Sequence, residues 1–83
     1  MWYLYILECN DKSLYTGITK DIKRRLKEHL NQRGGRYTRS RGVKKLVYKE
    51  KHKTRSEALK REAQIKSWPR QEKIKILKLG IHR

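Results

Sequence analysis

The sequence predicts an α/β fold, a three-stranded antiparallel sheet flanked by helices in the order β-β-α-β-α-α. Three observations carry that expectation. Trp2 to Glu8 and Leu14 to Gly17, two short segments rich in aromatic and branched residues, are separated by the turn-forming run Cys9-Asn10-Asp11-Lys12-Ser13. A third such segment, Val43 to Glu50, stands between two stretches with helical periodicity. No repeat, low-complexity segment or linker divides the 83 residues, so residues 1–83 are expected to form a single domain.

Taken in order, WYLYILE is too short for a free-standing helix and reads as a strand. Alternation puts Tyr3, Tyr5 and Leu7 on one face and Trp2, Leu4 and Ile6 on the other, so a sheet covered on both sides is expected. Leu14 to Gly17 returns beside it to make a hairpin, with the glycine ending the strand. Thr19 is predicted to cap a helix beginning at Lys20, with Asp21 in the first turn, where the helix dipole favours an anion, and Gly34 and Gly35 stopping it. Ile22, Leu26 and Leu30 form its predicted buried stripe; His29 falls within that arc and Arg25 at its edge. Residues 34–45, GGRYTRSRGVKK, read as a flexible basic loop leading into the third strand. Thr54 and Glu57 make a capping box for a second helix, expected to end near Ser67-Trp68-Pro69. Pro69 then opens a last helix running to about Leu79 before Gly80, with Ile74, Leu77 and Ile81 on its sheet side.

Twenty-four Lys and Arg against 8 Asp and Glu leave a formal charge of +16. A surface so basic calls for an anionic partner, and nucleic acid fits because neutralised phosphates release condensed counterions. An anionic membrane fits less well: no helix carries a bulky aromatic face, and no apolar run reaches the ~20 residues that span a bilayer. Cys9 is the only cysteine, which excludes an internal disulfide and a thiolate metal cluster. The N-terminus lacks the basic region, apolar stretch and cleavage site of a secretory signal, so cytoplasmic residence is expected.

The second helix holds a conflict. Ala58, Leu59, Ala63 and Ile65 define its apolar arc, yet Glu62 and Lys66 fall inside that arc. A carboxylate there must meet a cation, a metal or a set of hydrogen-bond donors; Lys66 at i,i+4 or an arginine of the first helix would serve as well as a metal. Arg25 and His29 also stand i,i+4 on one face. For either residue alone a solvated Arg and a satisfied, partly buried His are the more ordinary reading; as a pair they gain interest, because an Arg fork matches phosphate geometry and a His can hold or move a proton at neutral pH. Sheet packing alone explains Tyr3, Tyr5 and Tyr15.

Tyr3-Leu4-Tyr5 and Tyr15-Thr16-Gly17, followed by Arg25, His29 and the block RSEALKREAQIKSW, together resemble the GIY-YIG nuclease domain, closest to its small bacterial stand-alone members. The resemblance covers essentially the whole chain. It implies the three-stranded fold already read from the residues, and a site in which Tyr5 and Tyr15 match the motif tyrosines and Arg25 the catalytic arginine. His29 matches the His or Tyr one turn later, and Glu62 the ligand of one divalent cation, Mg²⁺ or Mn²⁺. Tyr3 occupies the place of the motif's first glycine, Ile18 that of a lysine found in some members, and no asparagine follows Glu62 where several members keep one.

In the chemistry so implied, Tyr15 helps activate the attacking water, Tyr5 positions water or phosphate, and Arg25 stabilises charge developing on the phosphoryl oxygens. A single carboxylate suits Mg²⁺, which keeps most of its waters and would neutralise the departing oxygen. The expected activity is metal-dependent hydrolysis of DNA, structure-selective or weakly sequence-specific. Arg36, Arg39, Arg41, Lys44 and Lys45 would grip the backbone, and Tyr37 would stack on an unpaired base. The alternatives are a non-catalytic nucleic-acid-binding module, on DNA or RNA, and an adaptor for an acidic protein. Glu62 discriminates between enzyme and module, since an enzyme needs it open to a cation and a module would neutralise it with Lys66 or Arg25.

Overall fold

A computed structural model of the chain describes residues 1–31 and 41–79. Strands β1 (Trp2–Cys9), β2 (Leu14–Thr19) and β3 (Val43–His52) form one antiparallel sheet in the order β2-β1-β3. Helix α1 (Ile22–Leu30) follows β2, and α2 (Arg55–Lys66) and α3 (Arg70–Leu77) follow β3. This is the predicted element order.

Central position explains why β1 is apolar on both faces. Leu4 to Cys9 are all buried, and the alternation divides them between two layers. Leu4 and Ile6 pack against Ile65 of α2, with Ile18, Tyr48, Trp68 and Leu77 around them. Burying each of these three central side chains is worth about 1.5–3 kcal/mol. The opposite face carries Tyr3, Tyr5 and Leu7, and cross-strand pairing sets Tyr5 directly between Gly17 of β2 and Lys49 of β3. Helix α1 covers that face through His29, which is 1% exposed.

The first helix starts later than predicted. Thr19 is claimed by the sheet, where it pairs with Tyr3, and its hydroxyl accepts from the Asp21 amide at 3.1 Å. Asp21 is therefore the cap: its backbone is extended and its carboxylate accepts from the Arg24 amide at 3.1 Å. The strand likewise continues past Gly17, which does not end it. At the other end the helix closes on Asn31, ahead of Gly34 and Gly35, which lie outside the described residues. Leu30 is 53% exposed rather than part of the buried stripe, because α1 turns Ile22, Arg25, Leu26 and His29 toward the sheet.

Thr54 caps α2 as expected, accepting from the Glu57 amide at 3.2 Å. Ala58 and Ile65 are the buried residues of α2, with Arg61 and Glu62 half-buried beside them; Leu59 and Ala63 of the predicted arc lie on its exposed side. Helix α3 ends at Leu77 rather than Leu79. Lys78 takes the left-handed conformation, φ 53°, and the Leu79 amide bonds back to the Ile74 carbonyl at 3.1 Å, closing the helix without the glycine. Ile74 and Leu77 are half-buried as expected, and Ile81 lies outside the described residues.

Candidate active site

Three aromatic rings meet on the sheet face beneath α1. The Tyr5 ring centroid lies 6.2 Å from that of Tyr15 and 5.8 Å from that of His29, and the Tyr15 and His29 centroids are 5.3 Å apart. Tyr5 stands on the central strand and is 3% exposed; Tyr15 stands on the edge strand β2 and is half-exposed. Register accounts for the arrangement, since Tyr5 pairs with Gly17 and Leu7 with Tyr15, placing all four on one face. Gly17 supplies the room. A β-carbon there would stand 2.7 Å from Tyr5 Oη and 3.0 Å from Tyr15 Cε2, so the Tyr5 phenol occupies the space that any other side chain would take.

Helix α1 adds two polar groups to this face. The Tyr5 hydroxyl lies 3.0 Å from His29 Nε2, and it also has hydrogen-bonding contact with the Arg25 guanidinium and with Tyr15. Arg25 Nη1 additionally pairs with Glu28 Oε1 at 3.2 Å, its side chain 31% exposed. An arginine can only donate, so it uses an acceptor lone pair of the Tyr5 oxygen and leaves the phenolic proton for His29 or Tyr15. The electrostatics agree. Burial pushes the Tyr5 phenol up to about 12, against the opposing pull of Arg25. Burial, and then the Arg25 charge, push His29 below its ordinary value. Near pH 7 the pair is a neutral phenol hydrogen-bonded to a neutral imidazole.

Glu62 belongs to the other layer. It stands on α2, whose Ile65 packs on Leu4 and Ile6, and its carboxylate pairs with Lys66 Nζ at 3.4 Å, the i,i+4 pair that the sequence left open. Its neighbour on α2, Arg61, reaches Glu50 of β3. The structure thus brings Tyr5, Tyr15, Arg25 and His29 together on one face and leaves Glu62 on the far layer. Among the described residues no group of three His, Cys, Asp or Glu could hold a metal ion. One carboxylate oxygen donor with an exposed lysine as its partner still fits Mg²⁺, which binds through one or two carboxylates and retains its waters.

A second polar cluster, missed in the sequence, lies on the α2 face. Glu50 accepts from the Tyr48 hydroxyl at 2.8 Å and Arg61 Nε at 3.1 Å, and its other oxygen meets His52 Nε2 at 2.7 Å. Burial opposes the charge, but these bonds outweigh it and hold the carboxyl below its ordinary range. Arg61 also lies over the Trp68 ring at 5.5 Å. The i, i+2, i+4 spacing of Tyr48, Glu50 and His52 on one strand was the available signal.

Of the residues expected to grip a nucleic-acid backbone, Arg41 pairs with Asp11 at 3.0 Å. Lys44 and Lys45 are exposed on β3 itself, because the strand begins at Val43 and leaves the predicted loop shorter. Arg36, Tyr37 and Arg39 lie outside the described residues. No helix among the described residues is long and apolar enough to cross a membrane.

Comparison with known proteins bears on the family and the fold. The model of the GIY-YIG catalytic domain matches residues 1–75. The UPF0213 protein of Staphylococcus epidermidis is 49% identical over 78 residues, covering 94% of this chain and 95% of its own. That of Staphylococcus saprophyticus is 50% identical over the same shares. Two solution NMR structures are similar: the UPF0213 protein of Bacillus halodurans, with TM-score 0.60, 41% identity, and 95% of this chain and 85% of that one covered; and a protein of E. faecalis, with TM-score 0.64, 42% identity and coverage of 98% and 88%.

Proposed function

The chain belongs to the GIY-YIG family of nuclease domains, and from that premise we propose that it is a metal-dependent endonuclease hydrolysing phosphodiester bonds in DNA, structure-selective or weakly sequence-specific. The observation that carries this reading is the meeting of Tyr5, Tyr15, Arg25 and His29 on one face around the space left by Gly17. Packing alone does not call for an arginine and a neutral histidine around a buried phenol.

Each group has a task suited to its state. Arg25, partly exposed, binds the phosphoryl oxygens and stabilises the charge that builds on them as water attacks phosphorus and the bond to the departing sugar oxygen breaks. Tyr15, the more exposed tyrosine, orients that water and takes its proton. Its own proton passes to the neutral imidazole of His29, whose ring centroid lies 5.3 Å from that of Tyr15. Tyr5, held neutral by burial, positions these groups rather than acting as a base itself. Glu62 is the residue that would hold Mg²⁺ or Mn²⁺, which would supply neutralisation of the departing oxygen; it stands on α2, on the layer opposite the other four, so this part of the reading rests on the family resemblance alone. Arg36, Tyr37, Arg39, Arg41, Lys44 and Lys45 are the candidate grip on the rest of the DNA.

The ion pair of Glu62 with Lys66 favours a second reading, a non-catalytic nucleic-acid-binding module. A cleavage assay on single-stranded, branched and duplex DNA with Mg²⁺, Mn²⁺ or EDTA separates the two. Metal-dependent cutting that Glu62→Gln abolishes supports the nuclease; salt-dependent binding without cutting under any metal supports the module.

A further inference from the structure

A cavity of about 280 Å³ opens where the start of α1 meets the sheet, lined by Tyr3, Lys20, Asp21, Ile22, Lys23 and Lys49. It borders the tyrosine site on three chain segments. Lys49 is the cross-strand partner of Tyr5. Tyr3 lies one same-face step along β1 from Tyr5, about 6.7 Å away. Ile22 of the lining lies three residues before Arg25 on α1, on the same face of the helix.

The lining is cationic with little to offset it. None of Lys20, Lys23 and Lys49 is ion-paired among the described residues, and all three are exposed. The Lys20 ammonium lies 5.4 Å from the centroid of Trp2, whose side chain alternates to the face opposite Tyr3, so Lys23 and Lys49 carry the charge of the cavity itself. The one carboxylate present, that of Asp21, is already used as the cap of α1. Lysines are point charges on flexible stems, suited to a phosphate held without a fixed orientation, whereas Arg25 next door offers the planar fork suited to the reacting one.

We propose that the cavity of Tyr3, Lys20, Lys23 and Lys49 is a phosphodiester-binding subsite that holds the nucleic-acid phosphate adjacent to the one cut. This rests on the nuclease reading and extends it, because it fixes the direction of the strand: from Arg25 toward the β3 edge of the sheet. Holding the backbone at a neighbouring phosphate helps to orient the scissile one for in-line attack.

The test is binding of labelled duplex and single-stranded oligonucleotides in EDTA, by fluorescence anisotropy across salt concentration. Lys23→Gln/Lys49→Gln is compared with the wild type and with Lys60→Gln/Lys75→Gln, which removes equal charge from α2 and α3. Two lost phosphate contacts on duplex lower the salt slope by about 1.8, so the affinity ratio of wild type to variant shrinks about twelvefold between 50 and 200 mM salt. The control keeps the wild-type slope. Variants that match each other overturn the subsite. Inorganic phosphate titrated alone, followed by NMR at the lysine side chains, separates a free-anion site from a backbone site: shifts at Lys23 and Lys49 with phosphate but not with oligonucleotide overturn the proposal. A wild type that cuts DNA while both double variants bind alike removes the subsite and leaves the nuclease reading standing. A wild type that binds no nucleic acid removes both.

Discussion

Gly17→Ala sets a methyl group against the Tyr5 phenol. The added carbon would lie 2.7 Å from Tyr5 Oη, 2.8 Å from Cζ and 3.0 Å from Tyr15 Cε2, where comfortable contact needs about 3.5–4.0 Å. The ring must retreat by about 0.7 Å or more. Its retreat is blocked, because Tyr5 is 3% exposed and its hydroxyl is held at 3.0 Å by His29. Overpacking of this kind costs about 1–3 kcal/mol. The backbone effect has the opposite sign: Gly17 sits in extended strand, where alanine ordinarily stabilises by about 0.4–1 kcal/mol through the unfolded state. A net loss of roughly 1–2 kcal/mol is expected, or a drop in melting temperature of about 4–8 °C per kcal/mol for a domain of this size. Displacing the phenol by this amount should also slow cutting by up to about 100-fold. Circular-dichroism melting measures the first and strand cleavage the second. An alanine variant that melts at or above the wild-type temperature and cuts at the wild-type rate would refute the role given to this glycine.

Other consequences follow from the same site. Because the folded Tyr5 phenol titrates at about 12 rather than 10, the unfolded chain loses its proton first, and stability should fall as pH rises from 10 toward 12. Tyr5→Phe should flatten that slope in urea denaturation, leaving the smaller part due to Tyr48, whose phenol is also pushed up by burial. His29, pushed below its ordinary 6.5, runs the other way. As pH falls below that value the unfolded state binds a proton that the folded imidazole refuses, so stability declines, and His29→Gln should remove the decline in that window. Lys66→Ala frees the Glu62 carboxylate, so half-maximal cutting should need about two- to fivefold less Mg²⁺, the worth of a surface ion pair; an unchanged metal titration would take Glu62 out of the metal site.

The sheet was legible because β1 is apolar on both faces, a pattern that only a central strand covered on two sides satisfies. Helix faces were less legible, and for one reason in two places. In α1 the stripe facing the sheet contains Arg25 and His29; in α2 it contains Arg61 and Glu62. Hydrophobicity alone rotates such helices toward their leucines, Leu30 and Leu59, both of which the structure exposes. The polar residues win the inner position because they have partners there: Tyr5 for the first pair, Glu50 for Arg61. Those partners are distant in sequence, so periodicity within a helix could not reveal them. The tyrosine, arginine and histidine positions were recognisable from the family motif, yet the reason for Gly17 was not, since it lies in cross-strand register with Tyr5 and not in the turn that glycine usually signals.

That one face of the sheet cuts phosphodiesters is tested most directly by single-turnover cleavage of a labelled branched DNA by excess protein in Mg²⁺, comparing the wild type with Arg25→Ala. Removing a group that stabilises charge only as the bond breaks should lower the rate about 100- to 1,000-fold. Arg25→Ala cutting at the wild-type rate would contradict the placement of the reaction on this face.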